Sequence, residues 1–232
     1  MIREIKTKGL RMLDSAKKGF TLAEVLITLV IIGIISALTL KIIFASTDDR
    51  DVVAKVKKTY SMFCQLMMYA QAKGGDFDMV VSDGNDAIMN QWFNEYLKPG
   101  LNYTKICYNS AGCWNPGDTY GLNGTKVPYS KKGGIGGNTI SAVLMDGTLI
   151  LIDGFESPDM HEKFGVNTHG KAGLGIYFDT NGPKKPNTLG KDVFVMIYVT
   201  GKGMTVPYDN VEPDDCKPNQ IGYSCIKQFL KK

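Results

Sequence analysis

The chain has 232 residues, 44% of them apolar, with 27 Lys plus Arg against 23 Asp plus Glu and a net charge of +4. That is enough for one ordinary domain with an appendage, and apolar enough to bury a core. Residues 1–19 hold six basic and two acidic groups, leaving 21 of each sign from Phe20 onward, so a basic nucleic-acid-binding face is not indicated and no direct nucleic-acid partner is expected.

In chain order, residues 1–19 are short, basic and polar. Residues 20–46 are almost wholly apolar, with Glu24 and Lys41 the only charges, and Val25–Leu40 is an uncharged run of 16. As a helix the whole segment spans about 40 Å, enough for a bilayer core of about 30 Å. Basic residues precede it, and the following Asp48, Asp49, Arg50 and Asp51 are acidic on balance. The positive-inside rule then places the N-terminus in the cytoplasm and the bulk of the chain outside.

The helix is expected to continue beyond the span. Val52, Val53, Val56, Tyr60, Phe63, Met67 and Ala70 mark one face at steps of three and four. No proline occurs before Pro99, and Gly74-Gly75 supplies a stop. One helix over 20–74, apolar all round at first and amphipathic afterwards, needs lipid or other helices around its first half and a folded head against its second.

Residues 75–232 read as that head. Asp86–Leu97 reads as a short helix with Trp92, Phe93 and Tyr96 in the core. The glycine-rich stretch to Asn138 gives no clear element, and Gly133-Gly134-Ile135-Gly136-Gly137 reads as a flexible turn, since no Gly-Lys-Ser/Thr follows it. Ile140–Met145 and Thr148–Ile152 flank Asp146-Gly147, a strong hairpin signal. Gly175–Asp179 and Val193–Val199 are further strands, and Gly201-Lys202-Gly203 turns toward Met204–Val206. The expected fold is α+β: a long N-terminal helix on a mainly antiparallel sheet.

Two cysteine pairs lie close in sequence, Cys107 with Cys113 and Cys216 with Cys225, and Cys64 is left over. Neither pair has C-x-x-C spacing. With the head outside the cytoplasm, local disulfides are expected. Joint zinc binding by all four is the other reading. Cys64 lies beside Phe63 on the amphipathic stretch and reads as a small buried apolar residue. Between two strands, Asp179, Asn181, Asn187 and Asp192 are oxygen-bearing residues that could gather around Ca²⁺. The other reading there is a turn held by Asn and Asp hydrogen bonds. His161 and His169 lack a HExxH or triad context and no G-x-S-x-G occurs, so the chain is not read as an enzyme.

The junction Lys17-Lys18-Gly19-Phe20-Thr21-Leu22-Ala23-Glu24-Val25-Leu26-Ile27 carries the sharpest signal. It resembles the prepilin peptidase site of type IV pilins and type II secretion pseudopilins. In that family a basic leader ends in glycine, cleavage follows it, the new N-terminal residue is methylated, and a glutamate lies four residues on. Gly19, Phe20 and Glu24 match residue by residue. The resemblance implies leader removal at residue 19 by a prepilin peptidase, and assembly of a pilus-like filament or pseudopilus from the bacterial inner membrane. It also implies homologous pilin or pseudopilin subunits, an assembly ATPase with its inner-membrane platform, and membrane lipid as partners. Cys216–Cys225 resembles the C-terminal disulfide loop of many pilins, and some pseudopilins bind calcium in a loop of the head. One departure is Lys41, where many members carry a proline.

The apolar run is too long for a secretory signal peptide and its end lacks a small-x-small cleavage site. The competing functional class is a membrane-anchored extracytoplasmic binding module that does not polymerise. It does not explain Gly19, Phe20 and Glu24 together.

Overall fold

The computed structural model describes residues 19–75, 86–127, 139–208 and 215–232, with the side chains of 39–49 and of residue 86 outside that description. The leader up to Lys18 and the Gly133–Gly137 turn therefore lie outside it. By contacts the chain divides into two compact units, Met1–Thr47 and Asp48–Lys232. The boundary falls within helix α1, Leu22–Ala72.

In the first unit, the large apolar side chains from Phe20 to Leu38 are all exposed, from 44% at Val25 to 88% at Phe20. A surface of this kind is unusual on a solvated monomer. Among the described residues no helix is long and apolar enough to cross a membrane. The described side chains of the apolar run end at Leu38, whereas the span expected from sequence extends to residue 46.

The second unit is α+β. Its main sheet has the order β1 (Tyr103–Tyr108), β4 (Thr139–Leu144), β5 (Leu149–Phe155), β6 (Gly173–Asp179), β7 (Val193–Val199), β8 (Gly203–Thr205), with each adjacent pair antiparallel. A small ribbon pairs β2 (Thr119–Tyr120) with β3 (Lys126–Val127). The β4–β5 turn forms at Asp146-Gly147. Gly147 takes φ 83°, which glycine adopts without steric cost, and the Thr148 N–H donates to Asp146 Oδ1 at 3.0 Å.

Both faces of the sheet are covered, so β6 and β7 are buried at every position. Phe194, Met196 and Tyr198 of β7 point to one face with Ile176 and Phe178 of β6. Val193, Val195, Ile197 and Val199 point to the other. Period-two alternation thus feeds two cores rather than one core and solvent.

The first core is closed by α1, through Val56, Phe63, Leu66, Met67 and Ala70, and by α2 (Asp86–Trp92). Thr59 is buried on the same face. The helical face expected from Val52 onward is therefore the one that packs, although Val52, Val53 and Tyr60 are only partly buried. The helix stops at Ala72, and Gly74 takes φ 78° just beyond. Three polar ties pin α1 to the sheet: Lys58 Nζ to Asp146 Oδ2 at 2.6 Å, Lys55 Nζ to the Thr180 carbonyl at 2.9 Å, and Gln71 Nε2 to Tyr198 Oη at 2.7 Å.

The expected helix Asp86–Leu97 is α-helical only to Trp92. It continues as a π-turn over Phe93–Leu97 and a 3-10 turn over Lys98–Gly100. The second core is closed by helix α3 (Ser157–Phe164), which buries Met160 and Phe164 and was not expected. Phe164 packs edge-on against Phe155 and Tyr223 at 5.3 and 5.4 Å between ring centres. A last helix, α4 (Ile226–Lys231), lays Ile226 and Phe229 against the first core.

Candidate functional site

At the junction, Gly19 and Phe20 precede the first helical residue. The Phe20 ring is exposed, and nothing lies within 4 Å of where a Cβ would stand at Gly19. Nor is Gly19 among the residues with positive φ. Among the described residues, packing thus gives no reason for glycine here.

Thr21 and Glu24 start the helix as a reciprocal pair. The Thr21 N–H and hydroxyl donate to Glu24 Oε2 at 2.9 and 2.8 Å, and the Glu24 N–H donates to Thr21 Oγ1 at 3.2 Å. The Val25 N–H then donates to the Thr21 carbonyl at 3.2 Å. This is a capping box, which satisfies N–H groups that a helix start would otherwise orphan. The Thr-x-x-Glu spacing announces it in sequence. The box also aims the Glu24 carboxylate back toward the helix N-terminus.

In the second unit, Cys107 and Cys113 are joined at an S–S distance of 2.04 Å, and Cys216 and Cys225 at 1.96 Å. Paired in this way, the four cysteines do not converge on one metal. Cys64 is free and partly buried, and burial raises its thiol pKa, which keeps it in the less reactive protonated form. The Cys216–Cys225 loop is tightened by Asp215, whose carboxylate accepts from the N–H groups of Gly222, Tyr223 and Ser224 at 3.2, 2.8 and 2.5 Å. His161 and His169 are both exposed.

The loop from Asp179 to Asp192 forms a hydrogen-bonded cluster. Asp192 accepts from Asn181 Nδ2 at 2.9 Å and from the N–H groups of Asn187 and Thr188 at 2.8 and 2.7 Å. Asp179 Oδ1 accepts from the Asn181 N–H at 3.0 Å, and its Oδ2 accepts a short bond from Asn115 Nδ2. Asn115 follows the Cys107–Cys113 loop and was not among the residues expected here. Burial pushes Asp179 from its ordinary 3.8 up to about 7, opposed by the Asn115 bond and reinforced by the Asp192 charge. Among the described residues, Asn115 Oδ1, Asn181 Oδ1 and Asn187 Oδ1 are buried without a hydrogen-bond partner. Asp179, Asp192 and these three amide oxygens are the oxygen donors that the cluster offers, the ligand type that Ca²⁺ takes. They fit zinc poorly, and no group of three His, Cys, Asp or Glu residues suited to a metal occurs among the described residues.

Residues 14–40 match the family described as the prokaryotic N-terminal methylation motif. This is the leader signature of type IV pilins and pseudopilins. No curated protein and no solved structure matches the chain.

Proposed function

We propose that this protein is the precursor of a structural subunit of a type IV pilus-like filament or type II secretion pseudopilus. A prepilin peptidase cuts between Gly19 and Phe20, and Phe20 is methylated. The trimmed chain, anchored in the bacterial inner membrane by the segment at 20–46 with its head outside the cytoplasm, then polymerises through its N-terminal helix with homologous subunits. An assembly ATPase and its membrane platform drive the process.

The observation that carries this reading is the methylation motif at residues 14–40, set on a junction that the fold leaves open at Gly19 and closes immediately afterwards with the Thr21–Glu24 box. An unpaired carboxylate within a membrane segment costs at least about 2.5–3.5 kcal/mol. Pairing Glu24 with the positively charged Phe20 amine of a neighbouring subunit removes most of that cost and rewards one axial register. The exposed apolar face from Leu22 to Leu38 supplies the packing surface.

The test is to compare shear-released filaments with the membrane pool by immunoblot for the wild type and for Glu24→Gln. The variant is expected to be trimmed but poorly represented in filaments. Trimming together with wild-type assembly would overturn the charge-pairing mechanism.

A further inference from the structure

Beside the start of the second unit lies a cavity of about 460 Å³, lined by Asp51 and Lys55 of α1 and, from the β6–β7 loop, by Lys184, Lys185, Lys191 and Asp192. The two carboxylates in its wall are already engaged. Asp51 Oδ2 pairs with Lys55 Nζ at 3.2 Å. Asp192 accepts three N–H bonds from its own loop. Lys184, Lys185 and Lys191 are exposed and have no ion pair among the described residues. Three like charges around one concavity repel each other, and an ordinary counter-ion atmosphere only screens them.

The cavity also has a defined place along the chain. Asp51 lies five residues after Ser46, the end of the apolar segment. Whatever its conformation, that stretch reaches at most about 18 Å. The headgroup layer of a bilayer adds several ångströms beyond the hydrocarbon. In the anchored chain that stretch therefore limits how far Asp51, in the cavity wall, can stand from the lipid headgroups. The linear sequence hides this, because the residues that follow the apolar run are acidic, and only the fold brings the basic loop to them.

We infer that this cavity binds the phosphate of an anionic phospholipid headgroup, and so holds the head against the membrane before assembly. Lysine serves such a ligand as a mobile point charge, and clusters of basic side chains at a membrane surface favour anionic lipid. The lipid source rests on the membrane-anchored reading above. The phosphate chemistry rests on the cavity alone.

The experiment uses the full chain in three settings: nanodiscs of phosphatidylcholine, nanodiscs containing phosphatidylglycerol, and detergent with inorganic phosphate. Amine-reactive labelling at Lys184, Lys185 and Lys191 is read by mass spectrometry, with Lys202 as a reference outside the cavity. Labelling should slow at least about threefold in the phosphatidylglycerol discs relative to the neutral ones. Lys184→Gln with Lys185→Gln should remove the difference at Lys191. Equal labelling in the two kinds of disc overturns the proposal while leaving the anchor intact. Protection by inorganic phosphate as strong as by phosphatidylglycerol overturns the lipid assignment. A chain recovered in neither disc overturns the anchor, and the lipid assignment with it.

Discussion

Thr21 and Glu24 hold each other across the first turn of α1, with Glu24 Oε2 2.8 Å from the Thr21 hydroxyl and the Glu24 N–H 3.2 Å from Thr21 Oγ1. Glu24 thereby caps the helix within one chain; in the assembly proposed above it is also the charge that meets a neighbour's N-terminus.

Two substitutions separate those roles. Gln also serves in a capping box, so Glu24→Gln keeps the cap and removes the charge. Thr21→Ala breaks the cap and keeps the charge. Loss of such a cap costs about 0.5–2 kcal/mol locally. Thr21→Ala should therefore speed amide exchange in the first turn, measured by hydrogen exchange on the detergent-solubilised chain, and still assemble. Glu24→Gln should show the opposite pattern. If both assemble equally, the capping role is the only one Glu24 has.

The Asp179–Asp192 cluster should respond to calcium and to pH. The folded state holds Asp179 at about 7 against an ordinary 3.8. It therefore binds an extra proton between those values, and stability in chelator should fall as pH rises from about 4 through 7. At about 1.4 kcal/mol per pKa unit the limit is on the order of 4 kcal/mol. Asp179→Asn should flatten the slope. Calcium binds the ionised carboxylate, so it should raise the melting temperature more at pH 8 than at pH 5, by mass action on the folded state. Identical melting in calcium and chelator would leave the loop as a hydrogen-bonded turn alone.

Non-reducing peptide mapping should recover Cys107 with Cys113 and Cys216 with Cys225, and a free Cys64. Cys225→Ser opens a loop with a sequence separation of 9, a change worth about 2–3 kcal/mol by chain-entropy reasoning. Cys64→Ala should cost less. A bridge involving Cys64 would contradict the packing of α1.

Phe63 is fully buried where α1 meets the sheet. Phe63→Ala should destabilise the second unit by about 3–5 kcal/mol, read as a shift of the urea midpoint. Met68, five residues further along the same helix, is 69% exposed. Met68→Ala should stay within about 0.5 kcal/mol of wild type.

These contrasts follow how the chain declares itself. The methylation motif at residues 14–40 was legible because its signal is local, whereas the Thr21–Glu24 box inside it was not read. The β6 and β7 strands and the Asp146-Gly147 hairpin were legible from short apolar runs and turn chemistry. The β1 strand was not. It is an edge strand whose mixed burial gives Tyr-Thr-Lys-Ile-Cys-Tyr no clean alternation. Helix α3 was missed because it has only eight residues, too few for periodicity to speak. Its signals are punctuation, with Pro158 in the first turn and Gly165 at the C-cap. Asn115 could not be read at all: it lies 64 residues from Asp179, and only tertiary folding brings them together.

The central claim is trimming between Gly19 and Phe20. Intact-mass and N-terminal peptide analysis of the membrane-extracted protein tests it most directly. The expected result is a chain that begins at N-methyl-Phe20, with Gly19→Leu left at full length. Because none of the described residues crowds position 19, that block would report the peptidase's requirement rather than misfolding. A mature chain that begins at Met1, or beyond Ala45, would contradict the account.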